Sequence, residues 1–153
     1  MIRLAKPRIS DHAIKQVTEV LRSGNLVQGE KVSQFENTLE QYLGVKHAVA
    51  VSSGTAALHI SLLSLNIGPG DEVIIPAPYW VSYPDIVLLA GATPVVVECS
   101  EEQGFKLTAK DLEAAITNNT KWVILNSPSN PTGACYTEQE IKNLAHVLKR
   151  KPH

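Results

Sequence analysis

Two prolines and two asparagines fall within eight residues at 126–133, Asn-Ser-Pro-Ser-Asn-Pro-Thr-Gly, directly after an apolar run at 121–125. Because proline disfavours helical geometry in the residue before it, the turn is predicted to be rigid. A rigidly held side-chain amide such as that of Asn130 can donate one directional hydrogen bond to a ligand oxygen. The alternative is an Asx-type turn that satisfies its own backbone, and the residues alone leave both interpretations open.

A second stretch, Ser-Ser-Gly-Thr-Ala at 52–56, is predicted to join a strand to a helix. Gly54 permits a tight turn there, and the first amides of a helix point outward without partners. These amides, the helix dipole and the hydroxyl groups of Ser53 and Thr55 together favour a phosphate dianion. Close packing of small residues, or a simple N-cap by Ser53 or Thr55, explains the same pattern.

The third stretch, Pro-Ala-Pro-Tyr-Trp-Val-Ser at 76–82, places two aromatic residues after a backbone that two prolines restrain. A flat ligand ring could stack on an aromatic side chain at such a strand end. The alternative is that Tyr79 and Trp80 pack in the core against the next helix. Composition favours the core for Tyr79 and leaves Trp80 undecided.

The elements that must position these stretches alternate between strand and helix. Apolar runs predict strands at 47–52, 72–76, 94–98 and 121–125, and helical periodicity predicts helices at 55–66, 83–90, 109–116 and 138–149. Thr108 with Asp111, and Thr137 with Glu140, fit capping boxes. Such alternation predicts an α/β fold with a parallel sheet, in which ligands bind at the carboxyl ends of the strands.

Two amphipathic helices are predicted before the first strand. The first is capped by Asp11 and ends at Gly24, and the second ends at Gly44, because glycine tolerates the left-handed conformation at a helix end. Their apolar faces are expected to meet in a common core. We therefore predict a helical segment at 1–45 and an α/β part at 46–153.

Composition excludes several classes of protein. The 153 residues are 44% hydrophobic and 19% charged with a net charge of −1, so no basic surface favours nucleic acid or an anionic membrane. No run approaches the roughly 20 apolar residues of a membrane span, and no leader is recognisable, which favours the cytoplasm. Cys99 and Cys135 match no metal-ligand spacing and are expected to be reduced thiols.

Residues 68–153 resemble the bacterial class I aspartate aminotransferases, through the stretch from Gly70 to Asp85 and the turn at 126–133. These are fold-type I enzymes that depend on pyridoxal 5'-phosphate. The resemblance implies that Trp80 stacks on the cofactor ring and that Asn130 bonds to its phenolic oxygen. The turn would then tune the ring as an electron sink for negative charge on the substrate.

Residues 1–67 resemble instead the sugar aminotransferases of the DegT/DnrJ/EryC1/StrS group, through the stretches at 23–29, 42–48 and 52–59. That group belongs to the same superfamily and uses the same cofactor. The resemblance implies that Gly54, Thr55 and Ala56 lie at the cofactor phosphate, with Thr55 and Ala56 contributing backbone amides. Because the two segments resemble different families, the chain is expected to be a chimera. Both families share a phrase like Gly-Pro-Gly-Asp-Glu-Val-Ile at 68–74, which marks the expected changeover.

In both families a lysine that bonds covalently to the cofactor aldehyde lies beyond the point that corresponds to His153, and no lysine of this chain has a matching context. The resemblance therefore implies a truncated, partial cofactor-binding domain that carries no catalytic residue of its own. Its parent would transfer amino groups between an amino acid and a 2-oxo acid, as a homo-oligomer or with a complementary chain. Two alternatives are a non-catalytic fragment that keeps a phosphate-binding rim, and a sugar aminotransferase acting on a nucleotide-linked keto sugar.

Overall fold

The computed structural model describes residues 6–150, which form two compact units that divide between Val51 and Ser52. This division lies a few residues after the boundary predicted at 45–46. The assignment of 46–153 as a partial cofactor-binding domain stays a prediction.

The first unit contains two helices, α1 (Asp11–Ser23) and α2 (Glu30–Leu43). The N-cap of α1 is Ser10 rather than the predicted Asp11, because Ser10 has the extended backbone of a cap and its hydroxyl accepts the Ala13 amide at 3.2 Å. Both helices end as predicted at a glycine in the left-handed conformation, Gly24 and Gly44 respectively.

The expectation that these two helices share a core is wrong. Neither helix buries a residue, and Phe35 on the apolar face of α2 is 55% exposed. An amphipathic helix needs a second apolar surface to cover its stripe, and residues 6–51 form no sheet or third helix that could do so. The helices instead border an open groove, lined by Gln16, Val17, Val20, Leu21, Lys31, Gln34, Phe35 and Thr38.

The strand predicted at 47–52 is also absent from the structure. The amide of Ala48 donates to the Glu40 carboxylate at 3.0 Å, and that of Ala50 donates to the Glu36 carboxylate at 2.8 Å. Val49, between them, is 76% exposed. A strand forms only where a neighbouring backbone supplies its hydrogen bonds, and here the carboxylates of α2 take that place.

The second unit confirms the alternation predicted after residue 52. Its bounds differ from the predicted ones by only one or two residues at most ends. In chain order the elements are α3 (Gly54–Ser64), β1 (Glu72–Ala77), α4 (Ser82–Leu89), β2 (Thr93–Glu98), a 3₁₀ turn (Glu101–Gln103), α5 (Ala109–Ala115), β3 (Thr120–Val123) and α6 (Glu138–Lys149).

The three strands form a parallel sheet in the order β2-β1-β3. Its central strand places Val73, Ile74 and Ile75 in succession with no exposed surface, as expected of a parallel strand covered on both faces. Val73 and Ile75 pack in one apolar cluster with Leu62, Ile67, Ile86, Val87, Ala90 and Ala92. Ile74 packs in the opposite cluster with Cys99, Leu107, Leu112, Ile116, Leu144 and Val147.

The start of α6 is fixed by the predicted capping box. The hydroxyl of Thr137 accepts the Glu140 amide, and the Glu140 carboxylate accepts the Thr137 amide at 2.7 Å. Glu140 also accepts a hydrogen bond from the Lys106 ammonium, on the segment that follows β2. This contact with Lys106 comes first among the causes that lower the pKa of Glu140 from 4.5 to about 2.

The depressed pKa of Glu140 predicts a dependence of stability on pH. A carboxylate whose pKa is lower in the folded state contributes stability that is present above its ordinary value of 4.5 and is lost as the pH falls towards about 2. We expect the free energy of unfolding to fall more steeply across this window in the native sequence than in Glu140→Gln, which keeps a capping residue. Denaturant titrations at several pH values test this, and parallel pH profiles would contradict it.

Candidate functional site

A small hollow opens at the edge of the sheet where β1 and β3 end. Its volume is about 20 Å³, roughly the space of one water molecule. Most of its lining residues lie at or after the carboxyl ends of the strands, as the rule for parallel sheets predicts, while Tyr83 belongs to α4. They are Pro76, Pro78, Tyr79, Tyr83, Phe105, Ile124, Asn126, Ser129, Asn130 and Tyr136.

Several hydrogen bonds hold the turn at 126–133, and the side-chain amide of Asn130 takes no part in them. Asn126 makes the Asx-type contact, because its side-chain oxygen accepts the Asn130 amide at 2.7 Å. Ser129 donates to Ala134 at 2.9 Å and accepts from Gly133 at 2.8 Å. Among residues 6–150 the side-chain amide of Asn130 has no hydrogen-bond partner, so it remains available to a ligand at the hollow.

Three peptide bonds around the hollow are cis, namely those that precede Pro78, Pro128 and Pro131. Two of them lie in the turn at 126–133, on either side of Ser129. The third lies in the aromatic stretch that follows β1.

Tyr136 lines the hollow and was not identified from the sequence. Its hydroxyl accepts the Leu107 amide at 2.8 Å, and its own amide donates to the Ser127 hydroxyl at 3.1 Å. Burial raises the pKa of Tyr136 above its ordinary value of 10.0, and the hydroxyl is neutral at physiological pH. The available signal was a large aromatic residue placed between the turn and the cap of α6, a pattern equally typical of a core residue.

Phe105 also lines the hollow and was likewise missed. Its backbone is left-handed, with φ of +56°, a conformation that bulky residues rarely adopt. The Phe105 amide donates to the Ser100 carbonyl at 3.0 Å, and the preceding Gly104 donates to Glu101 at 2.8 Å. These bonds hold the loop after β2 in the conformation that brings Phe105 to the hollow.

The two aromatic residues after β1 occupy different surroundings. Tyr79 is half-buried and packs against the apolar cluster of Val73 and Ile75, on the side of the core interpretation that composition favours, and it also borders the hollow. Trp80 is 45% exposed and does not line the hollow. Its indole is therefore accessible, and stacking on a ring stays a prediction.

The turn that begins α3 carries two free amides. The hydroxyl of Ser53 accepts the Ala56 amide at 3.1 Å, so Ser53 is the N-cap and the amide of Ala56 is already engaged. The amides of Gly54 and Thr55 have no acceptor within the described part of the chain. Gly54 does not adopt the left-handed conformation, and a Cβ built on it meets no atom within 4 Å. The tight turn is thus not the reason for this glycine, and space is open for a ligand beside it.

Of the predicted site residues, the hollow is lined by Asn130 alone. Trp80 directly follows Tyr79, a lining residue. Gly54, Thr55 and Ala56 do not line the hollow, so a common site for all three turns stays a prediction.

Other kinds of site find no support in the described residues. Residues 6–150 contain no group of three or more His, Cys, Asp or Glu side chains placed to hold a metal ion. None of the helices described is long and apolar enough to cross a membrane. Both cysteines are free thiols, and burial, followed by the nearby Asp111 carboxylate, raises the pKa of Cys99.

Comparison with known proteins extends both resemblances seen in the sequence. The sequence profile of the DegT/DnrJ/EryC1/StrS aminotransferase family matches residues 7–148, across both segments. The aspartate/prephenate aminotransferase of Cereibacter sphaeroides is 57% identical over 116 residues. That alignment covers 74% of this chain and 29% of the relative, so the chain spans less than a third of its length.

Solved structures show the same two similarities. A sugar aminotransferase from Streptococcus pneumoniae, in its PMP-form, superposes with a TM-score of 0.84 at 33% identity, covering 99% of this chain and 36% of the other. The aspartate aminotransferase from Rhizobium meliloti superposes with a TM-score of 0.76 at 35% identity, covering 94% of this chain and 38% of the other. The α/β architecture is therefore that of part of a fold-type I aminotransferase.

Proposed function

The chain belongs to the DegT/DnrJ/EryC1/StrS aminotransferase family. Since it is also similar to an aspartate/prephenate aminotransferase, we propose that it forms the N-terminal part of an aspartate aminotransferase-like enzyme that uses pyridoxal 5'-phosphate. The parent enzyme would transfer an amino group between an amino acid and a 2-oxo acid. This part of the enzyme would supply part of the cofactor-binding rim. Because it lacks the lysine that bonds to the cofactor aldehyde, it would not be catalytically competent alone.

The free side-chain amide of Asn130 is the observation that carries this proposal. Hydrogen bonds of Asn126, Ser129 and Gly133 hold the turn around it. Asn130 is therefore fixed after the carboxyl end of β3, although its side chain makes no hydrogen bond within the turn. A donor held in this way can bond to the phenolic oxygen of the cofactor without reorganising. The alternative role, in which the side chain of Asn130 satisfies the turn itself, is taken by Asn126.

The chemistry of the other residues fits the same group. The amides of Gly54 and Thr55, at the start of an eleven-residue helix, can donate hydrogen bonds to the phosphate oxygens. The accessible indole of Trp80 offers a face for stacking. The hollow itself, at about 20 Å³, cannot enclose a pyridine ring, so the ring would rest on the rim rather than inside.

Pyridoxal phosphate supplies an electron-withdrawing ring that stabilises negative charge on the substrate carbon. The residues of this chain would act on it by binding alone. Asn130 would donate a hydrogen bond to the phenolic oxygen, Trp80 would keep water from one face, and Gly54 with Thr55 would anchor the phosphate.

A titration of the chain with pyridoxal phosphate, followed by borohydride treatment and intact-mass measurement, tests the proposal. We expect saturable quenching of tryptophan fluorescence and no adduct at a unique lysine. Absence of binding would contradict the proposed cofactor-binding site. A reducible adduct at one lysine would show a covalent site within this chain and contradict the assignment of the catalytic lysine to another segment.

Gly54→Ala tests the proposed phosphate site at the start of α3 separately from the stability of the fold. Alanine stabilises helices relative to glycine by up to about 1 kcal/mol, and its methyl group meets no protein atom here, so the free energy of unfolding should stay level or rise. The same methyl group would occupy the space open to the phosphate, and affinity for pyridoxal phosphate should fall about tenfold. Calorimetry with denaturant titration measures both, and unchanged affinity would place the phosphate elsewhere.

A sugar aminotransferase is the second candidate, favoured by the TM-score of 0.84 and the 99% coverage of this chain in the pneumococcal comparison. Such an enzyme would act on a nucleotide-linked keto sugar. Calorimetric titration with uridine diphosphate, beside titration with aspartate, discriminates the two candidates. Binding of the nucleotide alone would favour the sugar substrate.

A further inference from the structure

Tyr136 connects three parts of the hollow that are distant in the sequence. Its side chain lines the hollow together with Asn130 and Phe105. Its backbone amide bonds to Ser127 at the start of the turn, while its hydroxyl bonds to Leu107, two residues after Phe105. Tyr136 thus connects, through two hydrogen bonds, the turn that contains Asn130 and the loop that contains Phe105.

The bond to Leu107 is protected from solvent. Leu107 is 2% exposed, so removal of the Tyr136 hydroxyl would leave its amide buried without a partner. A neutral tyrosine hydroxyl accepts that amide and still has a proton to donate. The bond to Ser127 lies at the surface and closes the base of the turn, where Ser127 and Tyr136 face each other.

We propose that Tyr136 is a positioning residue, which holds the turn at 126–133 so that the Asn130 amide faces the hollow. The inference rests on the proposed cofactor site for its functional meaning. Its structural content, that the turn loses its fixed position without the hydroxyl of Tyr136, is independent of any cofactor. The residue acts through Asn130 and is not assigned any contact with the reacting groups.

Tyr136→Phe is the variant that tests this role, because it keeps the ring in the hollow and deletes only the hydroxyl. Thr120→Val is the matched control. Thr120 is 2% exposed, and its hydroxyl accepts the Thr117 amide at 2.9 Å at the amino end of β3, away from the hollow. Tyr136→Phe loses one hydrogen bond, and Thr120→Val loses two, because the Thr120 hydroxyl also donates to the Glu72 carboxylate at 3.2 Å. Both variants should therefore be destabilised, but only Tyr136→Phe should loosen the turn.

Hydrogen exchange followed by mass spectrometry on the peptide covering 126–136 gives the first readout. We expect faster exchange of this peptide in Tyr136→Phe and native exchange in Thr120→Val, under conditions where both are folded. Ser127→Ala, which removes the hydrogen bond from the Tyr136 amide to the Ser127 hydroxyl, should produce the same local effect. Exchange of the turn that is unchanged in Tyr136→Phe, or equally faster in Thr120→Val, would overturn the proposal.

Affinity for pyridoxal phosphate is the second readout, since a purely structural loss does not change the affinity of molecules that remain folded. We expect a dissociation constant about tenfold higher in Tyr136→Phe and unchanged in Thr120→Val. Equal affinities with a loosened turn would overturn the link to the cofactor site. If the native chain binds no cofactor while the exchange result holds, the proposed function fails and the positioning role of Tyr136 stands.

Discussion

Replacement of Ile74 by alanine is expected to lower the free energy of unfolding by about 2–5 kcal/mol. Ile74 lies in the central strand with no exposed surface and fills the face of the sheet covered by α5 and α6, beside Leu112 and Leu144. The methyl and methylene groups removed leave a cavity that the surrounding strands cannot close. Because single domains are stable by only about 5–15 kcal/mol, this loss is a large fraction of the total.

Denaturant unfolding monitored by circular dichroism measures the effect. Leu89→Ala is the matched control, since Leu89 ends α4 and is 68% exposed, and its change should stay within about 0.5 kcal/mol. Ile74→Val, which removes a single methyl group, should fall between them at about 0.5–1.5 kcal/mol. Similar losses for Ile74→Ala and Leu89→Ala would show that β1 is not the centre of the core.

The second large effect is expected at Asn130. Asn130→Ala should weaken binding of pyridoxal phosphate at least about tenfold, because a hydrogen bond to a charged oxygen contributes about 1.5–3 kcal/mol. Asn130→Asp should weaken it further, since the carboxylate lacks the donor and repels the phenolate. The fold should be little affected, as only the backbone amide of Asn130 bonds within the turn.

Asn118→Ala serves as the control for that series. Asn118 is exposed in the turn before β3, at the opposite end of the strand from the hollow. Its replacement should leave the affinity unchanged. If Asn130→Ala binds pyridoxal phosphate as well as Asn118→Ala, the side-chain amide of Asn130 does not contact the cofactor and the proposed function loses its main support.

The parts of the fold that follow from local chemistry were predictable from the sequence. The capping residues Thr108 and Thr137, and the glycines that end α1 and α2, act within one helical turn, so their patterns indicate the boundaries directly. The parallel sheet of the second unit followed from the alternation of strands and helices. Its carboxyl edge identified the region in which Asn130 was found.

The errors concern residues whose state depends on distant partners. The run at 47–52 has the composition of a buried strand, yet no described strand pairs with it and the carboxylates of Glu36 and Glu40 bind its amides instead. The apolar stripes of α1 and α2 predicted a shared core because periodicity shows that a face is apolar but not what covers it. Tyr136 was missed for the same reason, since its hydroxyl bonds to Leu107, which lies far away in the sequence.

The central position of β1 determines when the hollow can exist during folding. Glu72 pairs with Thr93 on one side and with Thr120 on the other, so both ladders require long stretches of chain to be closed first. Such non-local parallel pairing is slow compared with helix formation. Because several residues of the hollow follow β3, we expect the hollow to form only after β3 has docked. A small molecule bound there would lengthen the lifetime of the native state without hastening its formation.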